Sequence, residues 1–165
     1  MKKRVAVAFT GPSNSGKTTL VEKVAKTFIA KRKVAIIKND PKDKAQFDVE
    51  GKDSDKFTKT GAEVVITSPT RTTYFSQREK TLDDIVSMIS DFDILLVEGL
   101  KTLPLPRIAI FRNKIDESYF EYSEAIAIDE SIHLADYTIP EHITLLDLNN
   151  TTQIIEWIDN HAKEL

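Results

Sequence analysis

The chain has 165 residues and a formal net charge of −3, a balance that gives no overall attraction to nucleic acid or to anionic membranes. It contains no cysteine, which excludes disulfides, thiolate metal sites and cysteine nucleophiles. This length predicts a single domain over residues 1–165, and because no apolar run approaches the roughly 20 residues of a membrane span, we expect a cytoplasmic protein.

The first element is an apolar strand that runs into a glycine-rich loop. Residues 5–9 are apolar, and the sequence GPSNSGKTT follows before a helical pattern begins. This order of strand, loop and helix, with G-x-x-x-x-G-K-T spacing, predicts a phosphate-binding loop whose backbone N–H groups converge on an anion. Lys17 would bring a point charge to the β- and γ-phosphates, and Thr18 a hydroxyl ligand for Mg²⁺. The candidate nucleotide-binding residues here are Gly11, Ser13, Asn14, Ser15, Gly16, Lys17, Thr18 and Thr19.

The next two elements extend this unit into a sheet. Apolar residues at helical spacing predict an amphipathic helix over 17–31, and the short apolar run at 34–37 predicts a strand buried on both faces. Two strands joined by a helix form a βαβ unit, so we expect a parallel sheet. Residues 38–50 are polar and form a long loop at the end of the second strand.

The remaining pattern alternates between short apolar runs and helical segments. A short helix capped by Asp53 or Ser54 is followed by a buried strand over 62–67 and a more exposed one over 70–76. Thr81 is the expected cap of the next helix. Further strands are predicted at 92–97, 108–111, 125–128 and 143–146, and a final helix at 151–163 with Trp157 in the core. The expected fold class is α/β, a doubly wound, mainly parallel sheet flanked by helices with the architecture of phosphate-loop NTPases.

Two acidic residues compete for a role beside the metal. Glu98 directly follows an apolar strand, whereas Asp48 lies in a D-x-x-G string with no clear strand before it. We predict that Glu98 orients Mg²⁺ or a metal-bound water. Asp48 is then a loop acid that reaches the metal or the attacking water. Together with Lys17, these two acids form the candidate catalytic set.

A second short motif indicates which base is bound. Asn113, Lys114 and Asp116 match N-K-x-D, the guanine-recognition pattern, at the end of a predicted strand. A carboxylate can accept two hydrogen bonds from the guanine N1–H and N2 amine, which adenine cannot offer, while the lysine stem covers the base. The motif therefore favours GTP over ATP, and residues 125–129 are a candidate second wall of the base pocket.

Several stretches taken together resemble one family. The phosphate loop, DVEGKDS at 48–54, GA at 61–62, VEGLK at 97–101 and PRI at 106–108 are similar to the molybdopterin-guanine dinucleotide biosynthesis protein B family. The family often has histidines after the lysine that ends the second strand, whereas this chain has Lys38-Asn39-Asp40-Pro41, so no role of those histidines transfers. The resemblance carries the nucleotide residues to Gly11, Gly16, Lys17 and Thr18, and the acidic positions to Asp48 and Glu98.

The resemblance also implies a function. It implies a homodimeric accessory protein that binds GTP, hydrolyses it slowly with Mg²⁺, and assists the enzyme that attaches GMP to molybdopterin. It leaves open whether molybdopterin binds this chain directly, and it implies no nucleic-acid or membrane partner. Two other classes compete with this interpretation. One is a metallochaperone GTPase, which needs a Cys or His cluster, and the other is a small-molecule phosphate-loop kinase, which needs a substrate pocket with a base.

Overall fold

A computed structural model describes residues 3–165, and the chain divides into two compact units. The larger unit comprises residues 3–39 and 91–165, and the smaller unit comprises residues 40–90. The smaller unit is therefore inserted between two segments of the larger one. Whether the two behave as the single domain expected from the sequence stays a prediction.

The elements follow the predicted alternation closely. The strands are β1 (Val5–Thr10), β2 (Val34–Lys38), β3 (Val64–Thr67), β4 (Thr72–Phe75), β5 (Ile94–Glu98), β6 (Arg107–Phe111), β7 (Ala125–Ile128), β8 (Thr144–Asp147) and β9 (Lys163–Glu164). The α-helices are α1 (Lys17–Phe28), α2 (Asp53–Thr58), α3 (Leu82–Ile89) and α4 (Thr151–His161). Two 3₁₀ helices cover Glu117–Tyr122 and Leu134–Asp136. Within residues 3–165, no helix combines the length and the apolar character that a membrane span requires.

The larger unit is built on a mainly parallel sheet with the strand order β2-β5-β1-β6-β7-β8. Every neighbouring pair along this order is parallel, which confirms the expected parallel sheet, and β9 adds an antiparallel pairing to the start of β1. In the register, Glu98 lies opposite both Phe9 of β1 and Lys38 of β2. The ends of these three strands therefore lie at the same level, beside the loop that follows β1.

The core lies on both faces of this sheet. Val7, Phe9, Ile108 and Ile110 pack with α1 and α4 in one cluster, whereas a second cluster packs against the opposite face of β6 and β7. Residues of β1 and β6 are buried almost throughout, because both faces are covered. Trp157 is buried in the first cluster, which confirms its expected place in the core.

The edge strand β2 differs from its prediction. Among the described residues β5 is its one partner, and Ile36 is half exposed while Ala35 and Ile37 are buried. The prediction of a strand buried on both faces was therefore wrong. A run of four apolar residues does not reveal whether a strand lies at the centre or at the edge of a sheet.

The smaller unit contains its own antiparallel hairpin, in which β3 pairs with β4. Val65 and Ile66 of β3 are exposed, so the buried strand predicted over 62–67 was wrong, because an apolar run can equally form part of a two-stranded hairpin. Thr81 forms a capping box with Asp84 at the start of α3, as predicted. Lys52 holds the cap position of α2, not Asp53 or Ser54.

The end of the chain also departs from expectation. The final helix was predicted to reach Lys163, but α4 ends at His161 and the backbone at Ala162 turns to an extended conformation. Lys163 and Glu164 then pair with Ala6 and Val5 of β1. Two residues carry too little pattern for a strand to be predicted from them.

Candidate functional site

The loop between β1 and α1 adopts a backbone that only glycine permits at two positions. Gly11 has φ +139° and Gly16 has φ +97°, both in the left-handed region. A Cβ on Gly11 would lie 2.4 Å from the carbonyl oxygen of Ile110, so any side chain is excluded there. Gly16 is the cap residue of α1, which places the unpaired N–H groups and the positive dipole end of that helix at the loop.

Lys17 is held over this loop by its own main chain. Its Nζ donates to the carbonyl oxygens of Gly11, at 2.9 Å, and Pro12, at 2.6 Å. Burial lowers the pKa of Lys17, the negative charge of Glu98 acts in the opposite direction, and the positive charge of Lys38 lowers the pKa further. The charges of Glu98 and Lys38 therefore both act on Lys17.

A polar group inside the loop fits an anionic ligand. The Ser15 hydroxyl oxygen is buried and has no hydrogen-bond partner within the described part of the chain. Buried hydroxyls are normally hydrogen-bonded, so an orphan in a phosphate-loop sequence fits a ligand that supplies the missing partner. Ser13, Asn14 and Thr19 lie exposed on the same loop and on the first turn of α1.

The strand-end acid Glu98 lies beside this loop. It is the last residue of β5, and its side chain is 12% exposed. Its two carboxylate oxygens accept hydrogen bonds from Lys38 Nζ, at 3.2 and 3.3 Å. Thr18, Glu98 and Lys38 border a mostly apolar groove of about 370 Å³ that lies between α1 and β2. The structure thus brings Thr18 and Glu98, the two larger-unit residues predicted to hold the metal, close together, and it adds Lys38, which the sequence analysis did not select.

The segment after Glu98 is clamped by a buried arginine. Arg107 is fully buried, and its guanidinium donates to the carbonyl oxygens of Gly99, Leu100 and Leu103 at 2.9 to 3.1 Å. Burial lowers the pKa of Arg107, and the nearby carboxylate of Glu124 opposes that change. The sequence analysis had used Arg107 only as part of a family pattern, whereas the structure gives it a role in holding the loop after Glu98.

Asp48, the rival acid, belongs to the smaller unit. Its Oδ1 accepts hydrogen bonds from the backbone N–H of Val49 at 2.8 Å and the hydroxyl of Ser54 at 2.9 Å. These bonds shape the turn that leads into α2. The role of Asp48 at the metal or at an attacking water therefore stays a prediction.

The N-K-x-D string forms a tight turn after β6. Asn113 has φ +65°, and its backbone N–H donates to the hydroxyl of Ser131 at 2.7 Å. Lys114 is exposed. Asp116 caps the following 3₁₀ helix, and its Oδ1 accepts hydrogen bonds from the Ser118 N–H at 3.1 Å and hydroxyl at 2.7 Å. These bonds lower the pKa of Asp116. The Asp116 carboxylate therefore makes its hydrogen bonds within its own turn, and its role in reading a base stays a prediction.

Arg112 is a second polar side chain beside the loop that the sequence analysis did not identify. The guanidinium of Arg112 lies beside Gly16, 3.6 Å from the place where a Cβ would stand. Arg112 Nε also contacts Asp129 Oδ2 at 3.0 Å, while Asp129 Oδ1 accepts a hydrogen bond from the Ser131 N–H. A hydrogen bond that the Ser131 hydroxyl donates to Asp129 Oδ1 is the main cause of the lowered pKa of Asp129. The ends of β6 and β7 are thereby tied together next to the phosphate loop.

The donor set suits a metal that arrives with a phosphate ligand. Within residues 3–165, no three His, Cys, Asp or Glu side chains form a group that could hold a metal ion. Mg²⁺ is typically bound through one or two protein oxygens together with waters and substrate phosphates, rather than by an all-protein cage. Thr18 and Glu98 fit that arrangement, because both carry oxygen donors beside the loop, Thr18 in the first turn of α1 and Glu98 at the end of β5.

The comparisons with known proteins agree with this geometry. Residues 6–130 match the model of the family described as MobB, molybdopterin guanine dinucleotide synthesis protein B. The chain is similar to the molybdopterin-guanine dinucleotide biosynthesis adapter protein of Haemophilus influenzae, with 32% identity over 93% of this chain and 87% of that protein.

Solved structures show the same fold. The Bacillus subtilis MobB crystal structure has a TM-score of 0.75 at 20% identity and covers 96% of this chain and 98% of its own. A second crystal structure, of molybdopterin-guanine biosynthesis protein B, has a TM-score of 0.72 at 23% identity and covers 94% and 99%. With a family model that matches most of its length and a phosphate loop built on a mainly parallel sheet, the chain belongs to the MobB family.

Proposed function

We propose that the protein is a GTP-binding adapter in molybdopterin-guanine dinucleotide biosynthesis, which acts in the cytoplasm. The observation that carries this proposal is the convergence of Lys17, Thr18 and Glu98 beside one glycine-shaped loop in a chain of the MobB family. A relative that is 32% identical is named as an adapter for this biosynthesis, which supports the same role here.

In this proposal the loop holds the phosphates of GTP. The backbone from Gly11 to Gly16 and the N-terminus of α1 provide N–H donors, Lys17 provides a positive charge, and the orphan Ser15 hydroxyl gains a partner. Asn113, Lys114 and Asp116 are the proposed base contacts. Asp129, at the end of the neighbouring strand β7, is the alternative reader of the base.

Mg²⁺ is proposed to bind at Thr18 and Glu98, where it would neutralise part of the phosphate charge. Glu98 is the proposed acid for slow hydrolysis because its carboxylate is largely shielded from water beside the loop. Asp48 is kept as the second candidate, at the metal or at the attacking water.

The proposed partner is the enzyme that transfers GMP to molybdopterin, and the proposed assembly is a homodimer. The test is to immobilise the protein, load it with GTP, GDP or ATP, and incubate it with that enzyme, with and without molybdopterin. We expect capture of the enzyme, with GTP giving the strongest capture and ATP giving no more than the nucleotide-free protein. Equal capture with no nucleotide, GTP and ATP would contradict a GTP-dependent adapter.

We expect Glu98→Gln to slow hydrolysis more than it weakens binding. The substitution keeps the size of the side chain but removes the charge beside the proposed metal, while Lys17 and the loop still hold the phosphates. The turnover number should fall at least about tenfold, or roughly 1.4 kcal/mol in barrier, with a much smaller change in Kd for GTP. Single-turnover hydrolysis and equilibrium binding measure the two effects.

Asp48→Asn is the matched variant for this assignment, because it removes the charge of the rival acid. If Asp48→Asn abolishes hydrolysis and Glu98→Gln does not, the roles of the two acids are reversed. If neither substitution changes the rate, hydrolysis is incidental and the protein acts as a GTP-loaded adapter.

A further inference from the structure

The lysine that ends β2 lies next to the acid that ends β5. Lys38 and Glu98 are partners in the parallel register of these strands, and Glu98 is also opposite Phe9, close to the end of β1. Because parallel strands present their carboxyl ends at one edge of the sheet, Lys38 reaches the same edge as the phosphate loop. Its position is thus set by strand pairing, not by proximity in sequence.

The contact between the two side chains leaves the lysine with spare hydrogen-bonding capacity. Lys38 Nζ lies 3.2 and 3.3 Å from the two oxygens of Glu98. An ammonium group has three donors, so a contact with both oxygens leaves one donor for another acceptor. The lysine side chain is 62% exposed whereas that of Glu98 is only 12% exposed. The lysine is therefore accessible to a ligand while it remains paired.

Two lysines reach this edge of the sheet. Lys17 is held over the phosphate loop by its hydrogen bonds to the carbonyl oxygens of Gly11 and Pro12, and Lys38 lies at the end of β2 beside Glu98. Lys38, Glu98 and Thr18 also line the groove between α1 and β2. Two ammonium groups and one carboxylate leave a net positive charge, which favours an anion with more than one negative charge at this point.

We propose that Lys38 binds the terminal phosphate of the bound triphosphate and makes the protein prefer GTP to GDP. This inference rests on the proposed nucleotide binding. The terminal phosphate is the part of the ligand nearest to Thr18 and Glu98 in that proposal, and it is the part that GDP lacks. Lys38 then strengthens the binding of GTP but not of GDP, whereas Lys17 and the loop strengthen the binding of both nucleotides.

The test is to measure the equilibrium binding of GTP and GDP to Lys38→Met, with Mg²⁺ present. Methionine keeps most of the apolar stem and removes the charge. We expect the Kd for GTP to rise about tenfold and the Kd for GDP to change less than about twofold, because a charge-assisted hydrogen bond is lost with GTP alone. Lys38→Arg should recover most of the GTP affinity, and Lys38→Gln gives a second variant without the charge.

Lys33→Met is the matched control. Lys33 precedes the same strand and pairs with Asp91 through Nζ at 2.6 Å, but it lies at the opposite end of β2. It should leave the binding of both nucleotides unchanged. Equal weakening of GTP and GDP by Lys38→Met, or no weakening of either, would overturn the inference.

A double-mutant cycle with Glu98→Gln distinguishes a direct contact between Lys38 and the phosphate from an effect that acts through Glu98. In the Glu98→Gln background, Lys38→Met should still reduce the preference for GTP, because the lysine contacts the phosphate itself. If Lys38→Met has no effect in that background, Lys38 acts only by neutralising Glu98 and the inference fails. If the unsubstituted chain binds neither GTP nor GDP, the proposed function itself is refuted, which is a different result from either of these.

Discussion

Replacement of Lys17 with alanine is expected to abolish tight nucleotide binding while the protein stays folded. Lys17 is the positive charge that the main chain of the loop itself holds in place, through the carbonyl groups of Gly11 and Pro12. Its loss removes charge-assisted contacts to the phosphates, and we expect the Kd for GTP to rise at least about 100-fold. Titration of a fluorescent GTP analogue measures this change.

The fold should survive because Lys17 contributes little to the core. Its side chain is only partly buried, and the two carbonyl groups that it contacts lie on a partly exposed loop, where water can replace the ammonium. Lys26→Ala is the control, since Lys26 lies on the same helix and pairs with Glu22 on the surface. Unchanged GTP affinity in a folded Lys17→Ala variant would show that the loop binds something else.

Arg107→Met is expected to give the largest loss of stability. The substitution removes the donor of three partly buried hydrogen bonds, to the carbonyl groups of Gly99, Leu100 and Leu103, from a side chain that is itself fully buried. Each unsatisfied buried acceptor costs about 1–3 kcal/mol, and with partial relaxation we expect a total loss of about 3–5 kcal/mol in the free energy of unfolding. Urea denaturation followed by circular dichroism measures the loss.

An arginine in another part of the larger unit provides the comparison. Arg32 pairs with Asp159 at 2.7 Å, with both side chains partly exposed. Arg32→Met should cost less than about 1 kcal/mol, as for other exposed ion pairs. If Arg107→Met costs no more than Arg32→Met, the three hydrogen bonds do not hold the loop after Glu98.

The parts of the site that could be predicted are those with local signatures. The phosphate loop depends on glycines and a lysine within nine residues, and Glu98 depends on the apolar strand directly before it. The parallel sheet followed from apolar runs separated by helical segments. In each case the residues that form the feature are close together in the sequence, so their spacing is enough to predict it.

The missed features depend on contacts between distant segments. Lys38 meets Glu98 through the register of two strands, and these residues are 60 positions apart. Arg107 binds main-chain carbonyl oxygens, which every residue has, so its partners cannot be predicted from a pattern of side chains. The burial of 62–67 was mispredicted for a related reason, since the hairpin partner that makes β3 an exposed strand is not visible in the run itself.

The three hydrogen bonds of the Arg107 guanidinium also affect how far the sequence of residues 99–103 can change during evolution. All three guanidinium bonds end on main-chain oxygens, so the path of residues 99–103 depends little on which side chains that segment carries. Gly99 and Leu100 are the exceptions, because both have a positive φ, +91° and +51°, and a Cβ on Gly99 would lie 3.0 Å from the side chain of Asn39. Residues 101–103 can therefore change in sequence while the loop keeps its path. A surface of that kind can acquire new partner contacts without disturbing the acid at position 98.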